Sequence, residues 1–308
     1  YYKEEADGNR IRSIPVQATR GVMYDRNGVI LAGSRPAYSV IMPVDRKGNT
    51  LSDDELQKLS VLLKMPVADL KKKIEDNKRA FGAIYLANDV GVDVATQIEE
   101  KKDDFPVIQI EVNPLRVYPL GAAGAQVLGY VGEAGPDDKD ADGNPYTTAT
   151  LIGRAGIERK YNQYLEGKNG SKTIEVNASG QPVGYVGGTP AVSGNNIRLT
   201  LDANLQKAAE DAIDSQVKIL AKSGIYATGA SAVAIDPNSG AVLAMVSEPS
   251  YDPNRFSKGI STADWNQIIN NKNHPMQNRT IASMYPPGSL FKVVTGAAAL
   301  EAKVMSPT

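Results

Sequence analysis

A chain of 308 residues is long enough for two or three domains. Lysine and arginine number 34 against 35 aspartates and glutamates, so no field gathers nucleic acid, and none is expected as a partner. The absence of cysteine excludes thiolate metal sites and disulfide staples, and no apolar run approaches the roughly 18–20 residues of a membrane helix.

The polar opening, residues 1–10, reads as a cut placed beyond something removed. Residues 18–32 predict a β-hairpin turning at Asn27-Gly28, a strong short-turn signal, and 36–43 continue as strand. Ser52-Asp-Asp-Glu55 is a capping box that opens a helix through about Lys64. Further helices are expected near 67–77 and 92–102, with a short strand at 81–86 between them. This block, about 45–104, predicts a small helical head set into a β-rich body. From Phe105 to Val112 apolar and polar positions alternate, the pattern of a half-buried strand leading to Arg116-Val-Tyr-Pro119. A Gly/Ala-rich helix precedes the apolar run 127–131; then come a polar loop (132–150), a helix over 153–165 and two short strands (173–190) around Ser179-Gly180. The cluster Val192-Ser-Gly-Asn-Asn196 marks the expected boundary between a first domain, 1–192, and a second, 193–308. In the second domain a long helix (204–220) carries the apolar stripe Leu205, Ala208, Ala209, Ala212, Ile213, Val217 and Leu220. Two apolar strands, 227–235 and 241–246, are joined by the turn residues Asp236-Pro-Asn-Ser-Gly240. The fold class is therefore α+β, with an antiparallel sheet packed by helices in the second domain.

The chemistry concentrates at Tyr285-Pro-Pro-Gly-Ser289-Leu-Phe-Lys292. A Pro-Pro-Gly turn opens a helix there, and residues three apart share a helix face, so the Ser289 hydroxyl and the Lys292 amine stand side by side. A serine hydroxyl needs an adjacent base, and a lysine made neutral by burial can be one. The flank from Phe291 to Leu300 is small and apolar, as a buried helix requires. Ser-x-x-Lys is a short pattern, and a second copy, Ser215-Gln-Val-Lys218, falls on the polar side of the long helix, where a solvated face explains it. The one histidine, His274, lies in the polar stretch 271–275 and no Gly-x-Ser-x-Gly elbow occurs, so a Ser–His–Asp triad is not expected. Asp138-Lys-Asp-Ala-Asp142-Gly143 begins like a calcium loop, but its twelfth position is Ala149 and Pro145 interrupts it; a solvated acidic turn is expected, with no metal and no cofactor.

Ordered pieces along nearly the whole chain resemble the class B penicillin-binding proteins, specifically the elongation-type branch, penicillin-binding protein 2. Arg20-Gly-x-x-x-Asp-Arg-Asn-Gly-x-x-Leu-Ala32, Arg116-x-Tyr-Pro, Gly129-Tyr-Val-Gly132, Gly153-x-x-Gly-Ile-Glu158 and Leu165-x-Gly-x-x-Gly170 resemble landmarks of that family's non-catalytic pedestal. Leu199-Thr-Leu-Asp202, Asp236-Pro-x-x-Gly240, Pro249-Ser-Tyr-Asp-Pro-Asn254 and Asn278-Arg279 resemble the opening of its transpeptidase domain, which leads to Ser289 and Lys292. The resemblance implies an elongated pedestal with a head, followed by the first part of a transpeptidase domain. It implies a cell-envelope D,D-transpeptidase, held on the extracytoplasmic face by a single N-terminal anchor that is absent from this chain. That enzyme cross-links peptidoglycan stem peptides through an acyl-serine intermediate and is the target of β-lactams. Ser289 would be the nucleophile and Lys292 its general base. The implied partners of the pedestal are a membrane glycan polymerase and a scaffold protein of the elongation machinery.

The sequence departs from the family at three places. No Ser-x-Asn or Lys-Thr/Ser-Gly motif follows Lys292, so the 308-residue chain alone is expected to be inactive. Gln126 stands where the pedestal usually has histidine and is expected to lose a structural contact, and Leu290 follows the nucleophile where a small or polar residue is usual. Two other readings compete: a non-catalytic interaction fragment, or a β-lactamase or β-lactam sensor that shares Ser-x-x-Lys without needing the pedestal.

Overall fold

The structure, a computed structural model, describes residues 11–43, 50–77, 83–135, 137–140, 143–146, 150–176 and 182–306. Strand β1 (Ile11–Val16) is followed by β2 (Met23–Tyr24), which turns back into β3 (Ile30–Pro43). The expected hairpin is present. Asp25 Oδ1 accepts the backbone N–H groups of Asn27 at 2.7 Å and Val29 at 2.8 Å, closing the turn, while Gly28 takes the left-handed φ of 89° that the turn demands.

The head follows. Helix α1 (Asp53–Leu63) starts at Ser52 with both halves of the capping box formed; α2 (Val67–Asp76), β4 (Ala83–Val90) and α3 (Val92–Glu100) come next, and β5 (Gln109–Val117) returns to the body. Strand β3 is long enough to serve both parts. Its first residues pair with β2, its last with β4, and β5 runs antiparallel along Gly33–Ile41. Leu56, Leu59, Leu70 and Ile98 on the helices close over Val40, Met42, Ile84 and Leu86 of the sheet, a core of the head's own. The helix periodicity read from the sequence survives because each helix has one broad partner surface to bury its stripe against.

Below the head come α4 (Ala125–Leu128), β6 (Val131–Glu133), β7 (Leu151–Gly153), α5 (Gly156–Lys160), α6 (Asn162–Leu165), β8 (Gly170–Val176), β9 (Pro182–Thr189) and β10 (Ile197–Arg198). The single helix expected over 153–165 is instead a strand end and two short helices. Leu151–Gly153 pairs with β6, and the helix breaks at Tyr161, where Asn162 Oδ1 reaches back to accept Gly153 N–H at 2.9 Å while its amide donates to Glu166 one turn on at 2.6 Å. Strands β8 and β9 pair antiparallel as expected; the Ser179-Gly180 turn between them lies outside the described residues.

The remaining elements are α7 (Ala203–Lys222), β11 (Ala230–Ile235), β12 (Val242–Glu248), α8 (Asn254–Ser257), α9 (Thr262–Ile269), α10 (Arg279–Ala282), a 3-10 turn (Gly288–Phe291) and α11 (Lys292–Glu301). Strands β11 and β12 form the expected antiparallel pair. Helix α7 lies on β12 but buries only Ala203 and Gln206, and Leu205, Ala208 and Ala212 of its apolar stripe are exposed. A two-stranded ribbon is too narrow to cover a helix of 20 residues, and among the described residues nothing else covers the rest.

Two buried polar joints hold the body. Glu158, fully buried, accepts from Arg20 Nε at 2.6 Å, from Arg116 Nε at 2.7 Å and from the Tyr118 hydroxyl at 3.1 Å, tying α5 to β5 and to the chain before β2. Burial, and then the Glu158 carboxylate, push the Tyr118 hydroxyl well above the ordinary phenol range, so it stays a donor. The second joint is Asp25. Besides closing its own turn it accepts Ala203 N–H at 3.0 Å, at the start of α7, while Asn27 reaches Asp202 at 3.0 Å. Burial alone would raise the Asp25 carboxyl, but the N–H groups of Ala203, Val29, Asn27 and Gly28 outweigh it and hold it below the usual carboxylate range. Met23, Leu31, Tyr118, Leu128, Leu165, Leu201 and Ala203 form one apolar cluster around these joints.

Candidate active site

Pro287 and Gly288 open the turn that carries Ser289. Gly288 sits at φ 56°, Leu290 N–H bonds to the Pro287 carbonyl at 3.2 Å, and the chain tightens into the 3-10 turn before relaxing into α11 at Lys292. Side chains at i and i+3 eclipse in a 3-10 turn, so Ser289 and Lys292 share one face. Both are exposed, and among the described residues no hydrogen bond joins them.

The burial expected of this helix is not found. No residue of the 3-10 turn or of α11 is buried; Leu290 is 80% and Val293 77% exposed, and Phe291, Val294 and Leu300 are also exposed. The apolar flank reflects a face that no described residue covers, which composition alone cannot distinguish from a covered one. Leu290 thus projects into solvent beside Ser289.

The competing groups stand apart. Ser215 and Lys218 lie on the exposed side of α7, where Lys218 pairs with Asp214. His274 is an exposed loop residue with φ 43°, and what the structure uses is its carbonyl, which accepts Arg279 Nη1 at 3.2 Å. Asp138 accepts Gly135 N–H at 2.7 Å and pairs with Arg154 at 2.8 Å; Asp142 and Ala149 lie outside the described residues. Among the described residues no group of three or more histidines, cysteines or acids is placed to hold a metal.

Gln126 corrects the sequence reading. Rather than losing a contact, its amide donates to the carbonyls of Pro275 at 2.8 Å, Ser247 at 3.0 Å and Pro249 at 3.3 Å. The two N–H groups of the amide are shared among these three carbonyls, of which Pro249 is the farthest. Sequence reasoning missed this cluster and its neighbour Arg279. Asn278-Arg279 was visible as a landmark, but carbonyl partners leave no mark in a sequence.

Comparison with known proteins gives the family. Residues 15–199 match the family model "Penicillin-binding Protein dimerisation domain", and residues 230–308 match "Penicillin binding protein transpeptidase domain". The chain is 34% identical over 313 aligned residues to the peptidoglycan D,D-transpeptidase MrdA of Escherichia coli (strain K12), covering 99% of this chain and 47% of that protein. It is 32% identical to MrdA of Acinetobacter baumannii, covering 94% of this chain and 42% of the relative. Among solved structures it resembles the complex between penicillin-binding protein PBP2 and MreC from Helicobacter pylori, with a TM-score of 0.71 at 28% identity, covering 94% of this chain and 52% of that one. The chain thus spans about half the length of the relatives it matches. By its dimerisation-domain match over more than half its length, the chain belongs to the penicillin-binding protein family.

Proposed function

We propose that this chain carries the pedestal and the first part of the catalytic domain of a peptidoglycan D,D-transpeptidase of cell-wall elongation. Residues 1–192 form the pedestal, with the head over about 45–104, and 193–308 begin the transpeptidase domain. The observation that supports the reading most is Ser289 and Lys292 on one face of a tight turn, inside the stretch that matches the transpeptidase family.

Lys292 accepts the Ser289 proton as Oγ attacks the D-Ala–D-Ala carbonyl of a donor stem peptide. The peptide bond breaks, terminal D-alanine leaves as the protonated amine, and the stem remains as an ester on Ser289. The amine of a neighbouring stem then attacks that ester, forming the amide cross-link and giving up a proton that restores the Ser289 hydroxyl. β-Lactams enter by the same attack and stay as the acyl-enzyme. No step calls for a metal or cofactor. The site faces the extracytoplasmic side of the membrane, behind an N-terminal anchor.

The pedestal is the binding half of the protein. That a structurally similar PBP2 was solved with MreC supports a scaffold protein of this kind as its partner, beside a membrane glycan polymerase.

The test is D-alanine release from a pentapeptide donor by the full-length protein. Ser289→Ala is expected to abolish release, and Lys292→Ala to slow it by ~10²–10⁴-fold. Release that survives Ser289→Ala would place the nucleophile elsewhere.

A further inference from the structure

We infer that Gln126, Ser247 and Arg279 form a hydrogen-bonded clamp that positions the segment carrying Ser289, an inference that rests on the transpeptidase reading above. The segment needs such a device. From Gly288 to Glu301 no residue is buried, so its own side chains do not register it against the body. Residues 284–287 just before it are exposed as well, so the nearest anchored point is Ser283, at the end of α10. Helix α10 is docked on β11 and β12, and a six-residue link, 283–288, runs from it to Ser289.

Arg279 is the anchor of α10. It is buried, and its guanidinium donates to the carbonyls of Asn273 and His274, while its N–H donates to the Ser247 hydroxyl at 3.0 Å. Ser247 Oγ in turn donates to the Gln277 carbonyl at 2.9 Å, and the Gln277 amide reaches Ser283 Oγ, the first residue of the link, at 3.0 Å. The loop 273–277 is therefore gripped from one side by Arg279. From the other side it is gripped by Gln126, whose amide holds the carbonyls of Pro275 and of Ser247. Gln126 lies on α4, within the stretch matching the dimerisation domain, so the path of hydrogen bonds crosses from pedestal to catalytic segment. Gly229 makes room for it: a Cβ there would lie 2.2 Å from Arg279 Nε. These are positioning residues, bonded to backbone carbonyls and to one another. A planar, forked guanidinium suits two adjacent carbonyls, which the single ammonium of lysine cannot span in the same geometry.

The experiment is the acylation of the full-length protein by a fluorescent penicillin, resolving the chemical rate constant from the affinity of the initial complex. Arg279→Lys is expected to lower the rate constant ~10²-fold, the cost of a displacement of about 1 Å at a reacting group, with the initial affinity and the melting temperature nearly unchanged. Gln126→Ala is expected to lower it ~10-fold, and the double variant to lose less than the product, because both grip one loop. Acylation by Arg279→Lys within about twofold of the parent, or losses that simply multiply, would overturn the clamp. Should Arg279→Lys fail to fold, Gly229→Ala displaces the guanidinium with a single methyl; a parental rate constant in that variant would equally overturn it. A parent that takes no penicillin overturns the reading on which the clamp rests.

Discussion

Around Glu158 charged side chains are buried, whereas between Met284 and Met305 apolar side chains stand in solvent. The two regions invert the usual division, and for different reasons. A carboxylate can be kept in the interior when its lone pairs are filled, and Glu158 receives Arg20, Arg116 and Tyr118 together. An exposed row of Leu290, Phe291, Val293, Val294 and Leu300 has no such compensation; a contiguous apolar face of this kind marks a surface for contact. The Glu158 joint is thus held by the pedestal's own residues, while the Ser289 segment depends on its tether through α10 and on whatever covers its apolar side.

This contrast can be broken by substitution. The largest effect is expected from Glu158→Ala, which strands two buried guanidinium groups and should cost about 3–5 kcal/mol in urea unfolding. A loss under about 1 kcal/mol, the ordinary range of an exposed pair, would mean that the joint carries little. Asp25→Ala is expected to cost about 2–3 kcal/mol, since the buried Ala203 N–H at the start of α7 and the turn N–H groups of Asn27 and Val29 lose a charged acceptor. The pH dependence sharpens that case. The folded-state pKa of Asp25 is depressed, so its contribution is fully present above the unfolded value of about 3.9 and is lost as pH falls through the lower folded value. Asp25→Asn should therefore flatten the acid limb of the stability curve, and an unchanged limb would assign acid sensitivity to other carboxylates. At the small end, Val293→Ala in the 308-residue chain should change stability by less than about 0.5 kcal/mol, because the side chain is exposed. A cost of about 1 kcal/mol or more would mean that α11 is covered in solution.

Much of the head was legible in the sequence because its signals are local. The Ser52 capping box and the helix stripes, like the Asn27-Gly28 turn in the body, each specify structure within a few residues, and each formed as read. The region 153–165 is not one helix: Leu151–Gly153 is held in a strand by β6 and Asn162 reaches back to Gly153, contacts that a helix-period pattern does not encode. The candidate site divides in the same way. Ser289 and Lys292 announce themselves through chemistry and spacing, whereas Gln126, Ser247 and Arg279 act through backbone carbonyls brought together from distant parts of the chain. Apolar composition predicted a buried α11, yet hydrophobicity specifies only that a face seeks a partner, not that the partner is present.

The most direct test of the account is to map where penicillin attaches, in the full-length protein and in the 308-residue chain side by side. After reaction with a labelled penicillin and digestion, one adduct is expected in the full-length protein, on Ser289, and none at a useful rate in the 308-residue chain, whose Ser289 segment stands exposed. An adduct on Ser215 or on any other residue would contradict the assignment of the nucleophile. Stoichiometric acylation of the 308-residue chain within minutes would contradict the dependence of the site on a cover.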